Sequence, residues 1–143
     1  MRHPFHRLAV ACAISACVAA SCSTEPTAVD SRLLIATLDV ASGPAGVALT
    51  LAITNPHPLP AQVQFGSGQQ YDFTVARPDG TSVWTWSADK GFTQALTSRT
   101  LAPGERVTYS ANWTPTAPGA YRARGSLTSF SHEAEAAAAF VVP

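Results

Sequence analysis

The sequence predicts an all-β fold, an antiparallel β-sandwich of about eight strands. Three observations lead there. From residue 31 onward, apolar and polar residues alternate with a period of two in one segment after another. Clusters rich in Gly and Pro punctuate these segments at short, regular intervals. The composition, 46% apolar and 13% charged over 143 residues, is that of one globular domain rather than a disordered chain.

Residues 32–40 read as the first strand. Ser42-Gly43-Pro44-Ala45-Gly46 then turns the chain into GVALTLAIT, where Val47, Leu49, Leu51 and Ile53 alternate with Ala48, Thr50, Ala52 and Thr54. A third strand is expected at 61–66. In QYDFTVA, residues Tyr71, Phe73 and Val75 share one face. Arg77-Pro78-Asp79-Gly80 sets Pro at the second and Gly at the fourth position of a type I turn, so 71–77 and 81–86 should form a hairpin. Residues 89–100 show no clear period and read as a loop with one helical turn. Ala102-Pro103-Gly104-Glu105 leads into RVTYSANW, with Val107, Tyr109, Ala111 and Trp113 on one face. Thr116-Ala117-Pro118-Gly119 leads into AYRARGSL, where Tyr121, Ala123 and Leu127 face away from Arg122 and Arg124. Residues 133–140 are rich in Ala and favour helix on propensity alone. A last strand at 136–142 fits better, because Phe140, Val141 and Val142 need burial in an otherwise all-β domain.

The first thirty residues have a different character. Residues 1–7 carry Arg2 and Arg7 and no acid; residues 8–20 are almost wholly apolar; Ala19, Ala20 and Ser21 precede Cys22. This pattern matches a secretory signal over 1–21. A cysteine directly after the small residues resembles a bacterial lipobox, which marks Cys22 for lipidation. The large aliphatic residue usual three places earlier is Ala19 here. Cys17, after Ile14-Ser15-Ala16, is the alternative, with an apolar stretch about half as long; an ordinary secretory signal is the third reading. Residues 22–30 then serve as lipidated cysteine and tether, whose last eight residues reach at most ~28 Å, and 31–143 form the domain. The expected location is the cell membrane or outer membrane, with a periplasmic or secreted protein as the alternative. All cysteines lie at or before residue 22, so the domain has no thiol or disulfide and its core alone must hold it. Basic and acidic residues balance at nine each, which argues against a nucleic-acid partner.

The search for chemistry is mostly negative. The domain holds His57, in the rigid Asn55-Pro56-His57-Pro58, and His132, in His132-Glu133-Ala134-Glu135. A Ser–His–acid site stays open, since its members need not be near in sequence, but no nucleophile elbow, metal motif or phosphate-binding loop is present. No catalytic residue, metal or cofactor is expected. The aromatic residues say more. Trp84 and Trp86 are two apart and would share a strand face, either as core or as a platform for sugar rings or a protein partner.

The ordered elements Asn55-Pro56, Phe65-Gly66-Ser67-Gly68-Gln69-Gln70-Tyr71-Asp72-Phe73, Val83-Trp84-Thr85-Trp86-Ser87, Phe92-Thr93-Gln94, Leu101-Ala102-Pro103-Gly104-Glu105, Trp113 and Gly119-Ala120-Tyr121 resemble the BsuPI family of bacterial intracellular proteinase inhibitors. The likeness runs from about residue 46 to 125. It implies an immunoglobulin-like β-sandwich, in agreement with the alternation, and a non-enzymatic domain that binds a protein partner such as a serine proteinase. An exported chain cannot meet the intracellular enzyme of the family name, and the motifs mark no reactive site. Structurally, Ser67-Gly68-Gln69 suits a tight turn, Asp72 a brace for it, and Tyr71, Trp84 and Trp113 the core. Functionally, 66–70 and 87–92 would be neighbouring loops, with Ser67, Gln69, Trp86, Lys90 and Phe92 as candidate partner-binding residues. The competing classes are a structural or adhesive envelope domain and a carbohydrate-binding module built on Trp84 and Trp86.

Overall fold

The computed structural model describes residues 31–143. The expected signal segment, Cys22 and the tether lie outside the described residues. Among the described residues, no helix is long and apolar enough to cross a membrane.

Nine strands form, one more than expected: β1 Ile35–Gly43, β2 Gly46–Thr54, β3 Ala61–Phe65, β4 Tyr71–Ala76, β5 Ser82–Thr85, β6 Thr97–Leu101, β7 Arg106–Trp113, β8 Gly119–Leu127 and β9 Glu135–Val142. The additional strand, β6, takes up the last four residues of the segment expected to be a loop, together with Leu101. Its TSRTL is polar except for Leu101, so it lacks the apolar alternation that marks the others. The helical turn expected within 89–100 lies earlier, as a 3₁₀ turn at Trp86–Asp89. β9 is a strand despite its alanines. Ala136, Phe140 and Val142 pack against the core, and β8 pairs with it antiparallel from Gly119–Val142 to Ser126–Glu135.

The strands form three antiparallel sheets, ordered β1-β2-β7, β5-β4-β8-β9 and β3-β6. With β1, β2, β4, β5, β7, β8 and β9 taken as A, B, C, C′, E, F and G, the two larger sheets have the immunoglobulin arrangement. The exceptions are β3, which has no counterpart between B and C, and β6, which occupies the place of D in the chain order but pairs with β3. Val47, Leu49, Leu51 and Ile53 of β2 meet Phe73, Val75, Tyr121 and Ala123 in one core, joined by Val63, Phe65, Leu101 and Trp113. Trp113 packs edge-on against Tyr121, and the Tyr121 hydroxyl donates to the Ala117 carbonyl at 2.8 Å. This bond is the corner that pins the entry to strand F in immunoglobulin-like domains.

The β4–β5 hairpin forms as expected. The Gly80 N–H donates to Arg77 O and the Arg77 N–H to Thr81 O, each at 2.9 Å, with Gly80 at φ +90°. A type I turn followed by a left-handed residue matches the right-handed strand twist. A Cβ at Gly80 would meet nothing within 4 Å, so only backbone strain opposes substitution. Gly80→Val should therefore destabilise the domain by about 1–2 kcal/mol in denaturant unfolding. Gly80→Asn should cost less, because Asn tolerates this region. Equal losses would place the cost in packing rather than in φ.

Candidate functional site

The five candidate residues lie at the end of the sandwich where β3 leads into β4 and β5 into β6. The structure fastens the 66–70 turn to the chain just beyond the expected 87–92 loop. The Gly68 N–H donates to Thr93 O at 2.9 Å, and the Thr97 hydroxyl donates to Ser67 O at 2.9 Å. A Cβ at position 68 would lie 2.5 Å from the Thr93 Oγ1, so the glycine permits this approach. Ser67 and Gln69 are committed to the turn itself. The Ser67 hydroxyl accepts the Gln69 N–H at 3.1 Å, and the Gln69 side-chain amide donates to Tyr71 O at 3.2 Å. The Gln69 and Gln70 carbonyls accept Thr128 Oγ1 and Thr128 N, which ties the turn to the end of β8.

Asp72 corrects an expectation. It does not brace the Ser67 turn. Its carboxylate accepts the Phe73 N–H, the Ser87 N–H and the Ser87 hydroxyl, and so fixes the 3₁₀ turn that carries Trp86. The Trp86 ring stacks on Tyr71 at 4.4 Å, and Tyr71 stacks on Tyr109 of the opposite sheet at 4.4 Å. Phe92 lies 5.9 Å from Trp86, and the Lys90 ammonium sits 5.0 Å above the indole while pairing with Asp89 at 3.1 Å. Phe92, Trp86, Tyr71 and Tyr109 thus form a continuous aromatic column from loop tip to core. Burial holds the Tyr71 and Tyr109 phenols above the ordinary tyrosine range, with Lys90 and Arg99 pulling them back. Both are neutral at physiological pH, and the Tyr109 hydroxyl donates to Gln70 Oε1 at 3.1 Å.

Tyr109 and Leu96 are the residues that sequence reasoning missed at this end. Tyr109 belongs to a strand far along the chain. Leu96, 79% exposed, is an isolated apolar residue in a polar stretch.

Trp84 and Trp86 take the core alternative rather than that of an exposed platform, both being half-buried and packed against the core on either side of the extended Thr85. Trp84 does so from β5, which ends at Thr85, and Trp86 from the start of the 3₁₀ turn. The histidines are fasteners. His57 Nε2 meets Leu33 O at 2.8 Å, and His132 Nδ1 meets the Ser131 hydroxyl at 2.9 Å. Ser131 Oγ in turn accepts the Gln64 N–H at 2.8 Å. Burial, together with His57 and Arg32, holds His132 below the ordinary imidazole range. Among the described residues, no cluster of three or more His, Cys, Asp or Glu side chains could hold a metal ion.

No curated protein matches the chain. Similar solved structures include a Bacteroides uniformis β-glucuronidase 2 covalently bound to cyclophellitol-6-carboxylate aziridine, at 19% identity and TM-score 0.39. Another is a Bacteroides uniformis β-glucuronidase at 20% identity and TM-score 0.37. In both cases the similarity covers 76% of this chain and 13% of the other, and likeness this low assigns no activity. A family model described as BsuPI, intracellular proteinase inhibitor, matches residues 34–131, from ahead of β1 to beyond β8. That is well over half of the chain, which therefore belongs to the BsuPI family.

Proposed function

We propose that the chain is an exported, non-enzymatic proteinase-inhibitor-like domain, held at a membrane by lipid on Cys22, that binds a serine proteinase through the 66–70 and 86–97 loops. Family membership supports the inhibitor class. The observation that carries the choice of surface is the aromatic column with its clamped loops: two recognition segments are fixed to one another and to the core. A loop ordered before binding loses little entropy on docking, and this preorganisation favours tight occlusion of a protease cleft. The n-region, apolar stretch and small residues before Cys22 support export and lipidation. Two acyl chains anchor stably where one binds marginally.

Titration of a serine proteinase panel with the full chain tests inhibition, and mass spectrometry of the processed N-terminus tests the anchor. An unmodified terminus, or one at residue 17 or 24, would rule out lipidated Cys22. Against an inhibited enzyme, Phe92→Ala should weaken binding by about 2 kcal/mol, because the ring supports the loop against Trp86. Lys90→Ala should leave the unfolding midpoint near that of the wild type, its charge being on the surface. Binding and stability are to be measured on the same protein. Wild-type affinity in both variants would place the recognition surface elsewhere. A panel with no inhibited enzyme would favour an envelope-structural role.

A further inference from the structure

The chain between Phe92 and β6 is built in an unusual way. Thr93 O and Thr97 Oγ1 are both fastened to the 66–70 turn, at Gly68 N and Ser67 O, each at 2.9 Å. On the near side Phe92 lies against Trp86, and on the far side Thr97 opens β6, paired with Phe65. Between these two fixed points residues 94–96 are all exposed. The Gln94 side-chain amide donates back to Phe92 O at 3.2 Å, which stiffens the approach. Among the described residues, no hydrogen bond engages the peptide groups of Ala95 or Leu96. Leu96 is 79% exposed, more than any other large apolar side chain among the described residues. A shallow cavity of about 230 Å³ lies beside it, lined by Gln64, Thr97, Ser98 and the 64% exposed Phe130.

A segment held at both ends, with free peptide groups and one protruding side chain, is what an extended-peptide receptor recognises. Main-chain hydrogen bonds supply affinity and a pocket for one side chain supplies specificity. The other side chains at this end do not fit that role. Lys90 is paired with Asp89 and lies on Trp86, Phe92 is half-buried against the same indole, and Ser67 and Gln69 are used within their turn.

We propose that Leu96 is the side chain that enters the specificity pocket of the partner proteinase, with residues 94–96 lying along its cleft and Phe130 touching the rim. The partner is then a serine proteinase whose pocket takes large apolar residues. This rests on the inhibitory reading above and names the residue through which it works.

The test compares the full chain with Leu96→Lys and Leu96→Asp against two probes. One is a subtilisin-type enzyme with an apolar pocket; the other is a trypsin-type enzyme with an aspartate at the pocket floor. The wild type should inhibit the first. Leu96→Lys should lose at least about 30-fold there and gain inhibition of the second, while Leu96→Asp should lose the first and gain nothing. An unchanged unfolding midpoint in each variant confirms that only the exposed side chain has changed. Transfer of inhibition to the trypsin-type enzyme supports the assignment even if the wild type leaves the subtilisin-type enzyme active. If the wild type inhibits and both variants match it, the inhibitory function stands and Leu96 is the wrong residue. If no form inhibits either enzyme, this proposal falls together with the reading it rests on.

Discussion

Asn55→Ala is expected to lower the unfolding free energy by about 3 kcal/mol or more, because it strands one buried and several part-buried polar groups, a buried one costing about 1–3 kcal/mol. Asn55 follows β2 directly and is fully buried. Its side-chain amide donates to Leu59 O at 2.9 Å and Leu101 O at 3.0 Å, with Ala102 O at 3.3 Å sharing a hydrogen. Its Oδ1 accepts the His57 N–H at 3.0 Å. Its own backbone is used as well, the N–H donating to Glu105 O and the carbonyl accepting from Gly104 N. One side chain thus joins the end of β2, the proline-rich loop and the turn between β6 and β7. Asn55→Asp is the sharper version. It keeps the acceptor for His57 but turns the donor into an oxygen facing three carbonyls, so it should cost at least as much. Denaturant unfolding of the full chain measures both. A loss under about 1 kcal/mol for Asn55→Ala would mean that water replaces the amide.

Gly125→Leu is expected to destabilise by about 3 kcal/mol or more, at the upper end of what overpacking costs. Gly125 lies in mid-β8 and is buried, with ordinary backbone φ. Its value lies in the space it leaves. A Cβ there would fall 3.1 Å from Leu51 Cδ1, 3.3 Å from Leu51 Cβ and 3.2 Å from Phe73 Cε1. Leu51 comes from the β1-β2-β7 sheet, so the glycine lets the two sheets close on each other. Leu51→Ala alone should cost about 2–5 kcal/mol through the cavity it opens. Combined with Gly125→Leu, the loss should be smaller than the two single losses added, since the new side chain enters the vacated volume. Strict additivity would show that the two sites do not share that space.

The architecture was legible where burial is one-sided. β2, β4, β7 and β8 carry apolar residues on one face, and the period of two survives in the sequence. β6 was not legible because its inner positions are Thr97, Arg99 and Leu101, and a half-buried arginine looks like surface until Tyr109 is placed near it. β9 was legible only through its last residues, since alternating alanine carries no pattern. At the candidate site, the turn at Ser67 could be read because its hydrogen bonds are local. The role of Asp72 could not, because Ser87 lies fifteen residues away in sequence. The aromatic column was partly visible as an enrichment in Trp, Tyr and Phe, but the Tyr71–Tyr109 stack joins strands of different sheets and follows only from the topology.

That stack has a consequence for how the molecule resists digestion. A loop shown to a protease survives only if it cannot open locally and be threaded through the cleft as an ordinary substrate. Here Tyr71, held by its stack on Tyr109 across the sheets, gives Trp86 a fixed support, so the 86–97 segment peels away only by breaking that contact together with the bonds of Thr93 and Thr97 to the 66–70 turn. Its opening therefore costs more than the fraying of an untethered surface loop. Cleavage that depends on the open population is then rationed by the cost of breaking those tethers, and the exposed segment can be offered to an enzyme without being readily consumed by it.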